Sequence, residues 1–214
     1  MPGLVAGLAL LAAGGFRTTT LSAQSRSARP VVDVSGVERF LEVTAVLERD
    51  LDPTPQQWDS LFATPGYAVL VRREFRRDFF VRSFQLAFKP SRRQELEAQM
   101  ARETGYWAQF LPHFVRARSA REEIRRRMEE MRSADFSREA VARARTFLPD
   151  SLPEETPSVA FVIFKPDARG FDPVVVDILY LTEREAFLNL VAHEFHHWFR
   201  ARLAPDLNRH SETI

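Results

Sequence analysis

The stretch "LNLVAHEFHHWFRARL", Leu188–Leu203, decides how the chain is read. Its apolar residues recur at helical spacing nearly all the way round, so it reads as a helix set into a core. Four polar residues interrupt it: His193, Glu194, His196 and His197. At about 100° per residue, His193 and His197 stand about 40° apart around the helix axis, so both imidazoles can reach one point. Glu194 leans over the edge of the same face. This is the pattern H-E-x-x-H. Two neutral imidazoles suit Zn²⁺, and the carboxylate between them is placed to take a proton from a water that the metal activates. The flanking Leu190, Val191, Phe195, Trp198 and Phe199 argue for burial. An unpartnered buried polar group costs about 1–3 kcal/mol, which a metal would offset. His196, three residues after His193, turns off the shared face and is expected at the surface or behind the ligands. His113 and His210 stand isolated in the sequence and read as structural.

Working outward, "VAFVIFK" (159–165) and "VVVDILYL" (174–181) are β-branched and aromatic runs that read as strands. They pair as a hairpin or lie close in one sheet. The loop between them carries Gly170, and Thr182 with Glu185 forms a T-x-x-E capping box ahead of the H-E-x-x-H helix. Asp177 is the only polar residue of its strand. It needs a partner: either the free N–H of a metal-holding imidazole or an arginine from the helical region.

Upstream of the connector "LPDSLPEETPS" the chain reads as helices from Ser35 to about Leu148. Ser35 and Glu38 suggest a capping box, and Thr54-Pro55 followed by Gln57 opens a further helix. "TPGY" (64–67) reads as a turn. "VLVRREFRRDFFVRSFQLAF" (69–88) reads as one helix, with Phe80, Phe84 and Phe88 in a single row. "REEIRRRMEEMR" alternates charge and reads as a solvated helix laced with ion pairs one turn apart. The fold class is therefore α+β, with a mainly helical region over 31–156 followed by a small sheet and the metal-site helix over 157–214.

The chain has 214 residues, 45% of them apolar and 28% charged, enough for a sizeable core. Its formal net charge of +1 creates no field directed at nucleic acid or an acidic membrane. Cysteine is absent, which excludes disulfides, thiol catalysis and thiolate metal sites. The apolar run Leu4–Ala13 is short for a bilayer span and suits the core of a secretory signal over residues 1–23, cleaved after Ala23. That implies export to the periplasm or the exterior of a bacterium, with no stable membrane insertion after cleavage.

"VVVDILYLTEREAFLNLVAHEFHHWFR" resembles the active-site region of zincin metallopeptidases. It is most similar to an uncharacterised bacterial group of zinc-dependent peptidases with an H-E-F-H-H motif, which "QQWDSLFATPGY" also resembles. The resemblance implies a zincin core in which His193 and His197 are metal ligands and Glu194 is the catalytic base. It implies hydrolysis of a peptide or protein substrate, with Val174–Leu181 as the edge along which an extended substrate pairs. The metzincin pattern is not met, because it needs a glycine where Arg200 stands and a histidine where Leu203 stands. The gluzincin pattern takes a glutamate from a later helix. Downstream of the motif the acids are Asp206 and Glu212, so either the core is truncated or Glu212 is the third ligand, with water or an upstream carboxylate such as Glu103 as further candidates. The alternative function is a non-enzymatic exported binding protein whose core is degenerate or truncated.

Overall fold

A computed structural model describes residues 32–133, 136–149, 155–181 and 183–203. Among them are nine α-helices and four short strands, an α+β arrangement. The chain opens with β1 (Val32–Asp33), then runs through α1 (Ser35–Leu47), α2 (Pro55–Phe62), α3 (Pro65–Arg73), α4 (Arg77–Phe88), α5 (Arg93–Arg102), α6 (Phe110–Ser119), α7 (Arg121–Ser133) and α8 (Phe136–Arg145). It closes with β2 (Val159–Val162), β3 (Ala168–Arg169), β4 (Val174–Asp177) and α9 (Arg184–Leu203).

The strands lie in the order β1-β2-β4-β3. β2 and β4 pair in parallel, Val159 opposite Val174 and Val162 opposite Asp177, so the two runs do not form a hairpin. β3 runs antiparallel on the far side of β4. Every residue of β2 and β4 is buried, which is why both read as continuous apolar runs without alternation. β4 is also shorter than its sequence suggests. The Asp177 side chain accepts a hydrogen bond from the Leu179 amide at 2.8 Å, turning the chain there.

The helices pack as their sequences dictate, with four departures. Thr54 and Gln57 cap α2 reciprocally, with Pro55 in the first turn. The Ser35–Glu38 box does not form; the Ser35 amide and hydroxyl instead bond Asp33 at 3.2 and 2.7 Å. Thr64–Tyr67 is no free turn but the start of α3, with Pro65 in its first turn. Val69–Phe88 is two helices rather than one, because the chain breaks at Glu74–Arg76 so that Phe75 can turn inward. Its ring meets Phe80, Phe110 and Phe164. α7 does carry surface ion pairs such as Arg126–Glu130, 3.7 Å, but it is not wholly solvated. Ile124, Arg127, Met128 and Met131 form a buried stripe. The Arg127 guanidinium lies 4.6 Å from the Phe187 ring centroid and donates to the Leu181 carbonyl, tying α7 to the start of α9.

One apolar cluster runs from Val34 in the first turn of the chain's structure to Phe199 in α9. Helices and sheet therefore share a core. Tyr67 seals the contact between α3 and the sheet, donating from its buried hydroxyl to the Ile163 carbonyl at 2.6 Å.

Candidate metal centre

α9 buries Phe187, Leu188, Val191, Phe195, Trp198 and Phe199 against the core and turns its other side to solvent. His193 and His197 lie on that open side and are exposed, so the helix is not buried all round. Their Nε2 atoms are 2.9 Å apart, with the rings nearly perpendicular and 4.5 Å between centroids. Two imidazoles on a tetrahedral zinc, at Zn–N of about 2.05 Å, would place those nitrogens about 3.3 Å apart. A side-chain adjustment of a few tenths of an ångström separates the observed pair from that geometry. The same distance also suits a hydrogen bond between two neutral rings. Partial desolvation, then His193 and Arg200, lower the pKa of His197, favouring the neutral form that binds metal.

Glu194 is the buried member of the cluster, 9% exposed. Burial pushes its pKa above the ordinary carboxylate value; His193 opposes the rise and Asp167 adds to it. Among the described residues no hydrogen bond or ion pair occupies the carboxylate. The backbone of Gly170, just after β3, passes directly over it. A Cβ at that position would stand 3.0 Å from the His197 Cβ and 3.2 Å from the Glu194 Oε2. A side chain there would have to push His197 and Glu194 aside by a few tenths of an ångström.

The segment is held there by charge. Asp167 accepts from the Lys165 Nζ and from the Arg169 guanidinium, both at 2.6 Å. Arg169 also pairs with Glu74 at the end of α3 and bonds the Tyr106 hydroxyl at 3.2 Å. The buried Lys165 ammonium sits 3.9 Å from the Tyr106 ring centroid. Sequence reading missed this network. Its signal was an alternation of charges, K-P-D-A-R, in a loop beside Gly170, with nothing to say that Glu74 and Tyr106 lie across from it.

Two expected partners are placed differently. Asp177 touches neither a metal-site imidazole nor an arginine. It is fully buried and its Oδ2 accepts from the Phe164 amide at 2.8 Å and lies 2.9 Å from the Nε2 of His113. The carboxylate thus meets its needs locally, and His113 is structural but not isolated. Glu103 follows α5, takes a hydrogen bond from Gln99 at 3.1 Å and faces a separate cavity with Trp107 and Leu111, so it is no ligand here. His196 is half-buried, its ring 6.5 Å from that of His197. Thr182, Asp206, His210 and Glu212 lie outside the described residues, as does the proposed leader over residues 1–23. Among the described residues no group of three His, Asp or Glu side chains gathers round one point. The donor set present is two imidazoles with a buried carboxylate beside them, which fits part of a zinc site.

A family profile described as "Putative zinc dependent peptidase" matches residues 58–213. The chain belongs to this family. The match starts at Trp58 in α2, so membership rests on the helices and the sheet as well as on α9. Searches of curated proteins and of solved structures returned no match.

Proposed function

We propose that this protein is an exported zinc-dependent peptidase of the zincin type, with His193 and His197 as metal donors and Glu194 as general base. One observation carries the reading: two imidazole nitrogens 2.9 Å apart on the open side of α9, next to a carboxylate that burial leaves unpaired and more basic. Bound zinc supplies Lewis acidity, polarising a peptide carbonyl and making water more acidic. Glu194 takes a proton onto its carboxylate oxygen and returns it to the departing amide nitrogen. Its raised proton affinity suits both halves of that task. His193 and His197 would hold the metal and so set where the reacting carbonyl lies relative to Glu194. The further protein donor that a zinc site needs would come from outside the described residues, from a later helix as in the gluzincin pattern or, as a weaker candidate, from Glu212.

The substrate edge assigned to Val174–Leu181 cannot serve, because β4 is flanked by β2 and β3. β3 is the edge strand on the α9 side of β4, and Gly170 after it lies against Glu194 and His197. An extended peptide pairing with β3 would bring its backbone to the metal donors. A second reading, an exported binding protein without activity, draws on the lack of a three-donor group among the described residues. Among them no helix is long and apolar enough to cross a membrane.

The deciding experiment measures zinc and hydrolysis together on the purified full chain. His193→Ala and His197→Ala are each expected to abolish stoichiometric zinc. Glu194→Gln is expected to keep zinc and lose hydrolysis of a casein substrate. Zinc content equal in wild type and both histidine variants would overturn the site. A wild type that holds zinc yet cleaves nothing would favour the binding protein.

A further inference from the structure

A cavity of about 620 Å³ opens between α8 and α9, within the range of small-ligand pockets. On α9 its wall is Asn189, Ala192, His193 and His196, spaced as a single helical stripe. The ring of His193 therefore faces both His197 and this cavity. A group held at the imidazole pair would thus lie beside the cavity, through His193.

The chemistry of the wall says what it takes. Across from α9 stand Ala144 and Phe147. The two alanines, Ala144 and Ala192, leave room where larger residues would close it. Phe147 is 81% exposed, the most open of the large hydrophobic side chains among the described residues. The charged group of the wall and most of its polar groups are already engaged; the Asn189 NH₂ and the His196 ring remain as neutral polar groups. Arg143 donates to the Asn189 Oδ1 at 2.6 Å and to Glu185 and Glu139 at 2.8 and 3.2 Å. The Thr146 hydroxyl donates to the Ala142 carbonyl at 3.1 Å. Glu139 and Glu185 also pair with Arg184, at 2.8 and 3.4 Å, so two carboxylates balance two guanidiniums and no net charge is left to recognise an ionic group.

We infer that this cavity is a specificity pocket for an aromatic or other bulky apolar side chain of the substrate, adjacent to the bond that is cut. The inference rests on the peptidase reading of His193, Glu194 and His197 and adds the substrate class to it. A side chain entering would cover Phe147 and stack against it, removing apolar surface from water. An aspartate or lysine would lose hydration there and meet no unpaired opposite charge.

The test uses binding as well as turnover, so the two readings fail separately. N-acetyl-phenylalaninamide, N-acetyl-alaninamide and N-acetyl-aspartamide are titrated into the full chain, followed by the imidazole NMR signals of His193 and His196. Saturable binding of the phenylalanine amide, at least about tenfold tighter than either other amide, is expected. Ala192→Leu fills the pocket and should weaken it about tenfold. Phe147→Ala is the companion variant; its site is exposed, so folding is not at risk, and it should weaken binding severalfold. In hydrolysis, peptides with phenylalanine at the cleavage site should exceed their alanine counterparts in kcat/KM by at least tenfold. Equal binding of the three amides, or binding that neither variant alters, overturns the pocket even where hydrolysis and zinc binding persist. Phenylalanine-selective binding with no hydrolysis keeps the pocket and removes the peptidase. An amide that binds only after residues 204–214 are deleted assigns the cavity to those residues and overturns the inference.

Discussion

At the scale of single residues, Asp177 shows how a polar side chain in an apolar strand can mislead. From sequence it offered itself as support for a metal-bound imidazole, since a lone carboxylate in "VVVDILYL" must have a partner. The need was real and the partner different: two backbone amides and His113 surround it. His113 lies 64 positions upstream, and nothing in the local pattern of "FLPHFV" announces that contact. The structure therefore predicts a stability role. Asp177→Asn keeps the size but turns one acceptor into a donor facing another donor, which costs about 1–3 kcal/mol for each buried group left unsatisfied. A denaturant melt should show that loss, while a zinc titration of the same variant should match wild type. A tenfold weaker zinc affinity at unchanged stability would instead connect Asp177 to the metal donors.

At the scale of elements, two glycines separate the demands of the fold from those of the site. Gly66, in the first turn of α3, has the Val162 Cγ1 at 2.5 Å from where a Cβ would stand, so α3 rests directly on β2. Gly66→Ala should cost about 1–3 kcal/mol by overpacking, readable as a shift in the denaturant midpoint. Gly170 is exposed and its added Cβ would press on His197 and Glu194 rather than on the core. Gly170→Ala should leave the midpoint within about 0.5 kcal/mol and reduce kcat/KM at least tenfold, because misplacing a catalytic group by an ångström can cost about a hundredfold. A Gly170→Ala variant with full activity would show that this approach is incidental. Much at this scale was legible. The α2 cap, the two apolar runs as strands and the helical character of α9 follow from local rules. The break between α3 and α4 was not, because Val69–Phe88 contains no glycine or proline; a distant cluster of aromatic rings pulls Phe75 inward and stops the helix. The parallel pairing was hidden for a similar reason. β4 slots between β2 and β3, and the two residues of β3 are too few to read as a strand.

At the scale of the whole molecule, the sheet and helices close over one core, and the donor pair stands on its surface rather than inside it. The H-E-x-x-H spacing revealed the pair without any tertiary information, since i and i+4 positions meet on every helix. The Glu74–Arg169–Asp167–Lys165 network that holds Gly170 against α9 joins positions nearly a hundred residues apart, beyond the reach of periodicity. Because that network and α9 both anchor to the shared core, a metal bound by the folded chain alone should stabilise the molecule as a unit. A ligand present at a hundred times its Kd adds about 2.7 kcal/mol to unfolding free energy when the unfolded chain does not bind it. For a chain of about this length, each kcal/mol raises Tm by about 2–4 °C. Zinc at that excess should therefore raise the Tm of wild type by about 5–11 °C, and a chelator should reverse it. Glu194→Gln should show the same rise, since the proposed function makes its carboxylate a base beside the donors and not one of them. His193→Ala and His197→Ala should show none. A rise that survives in both histidine variants would mean that zinc stabilises the chain from somewhere other than α9.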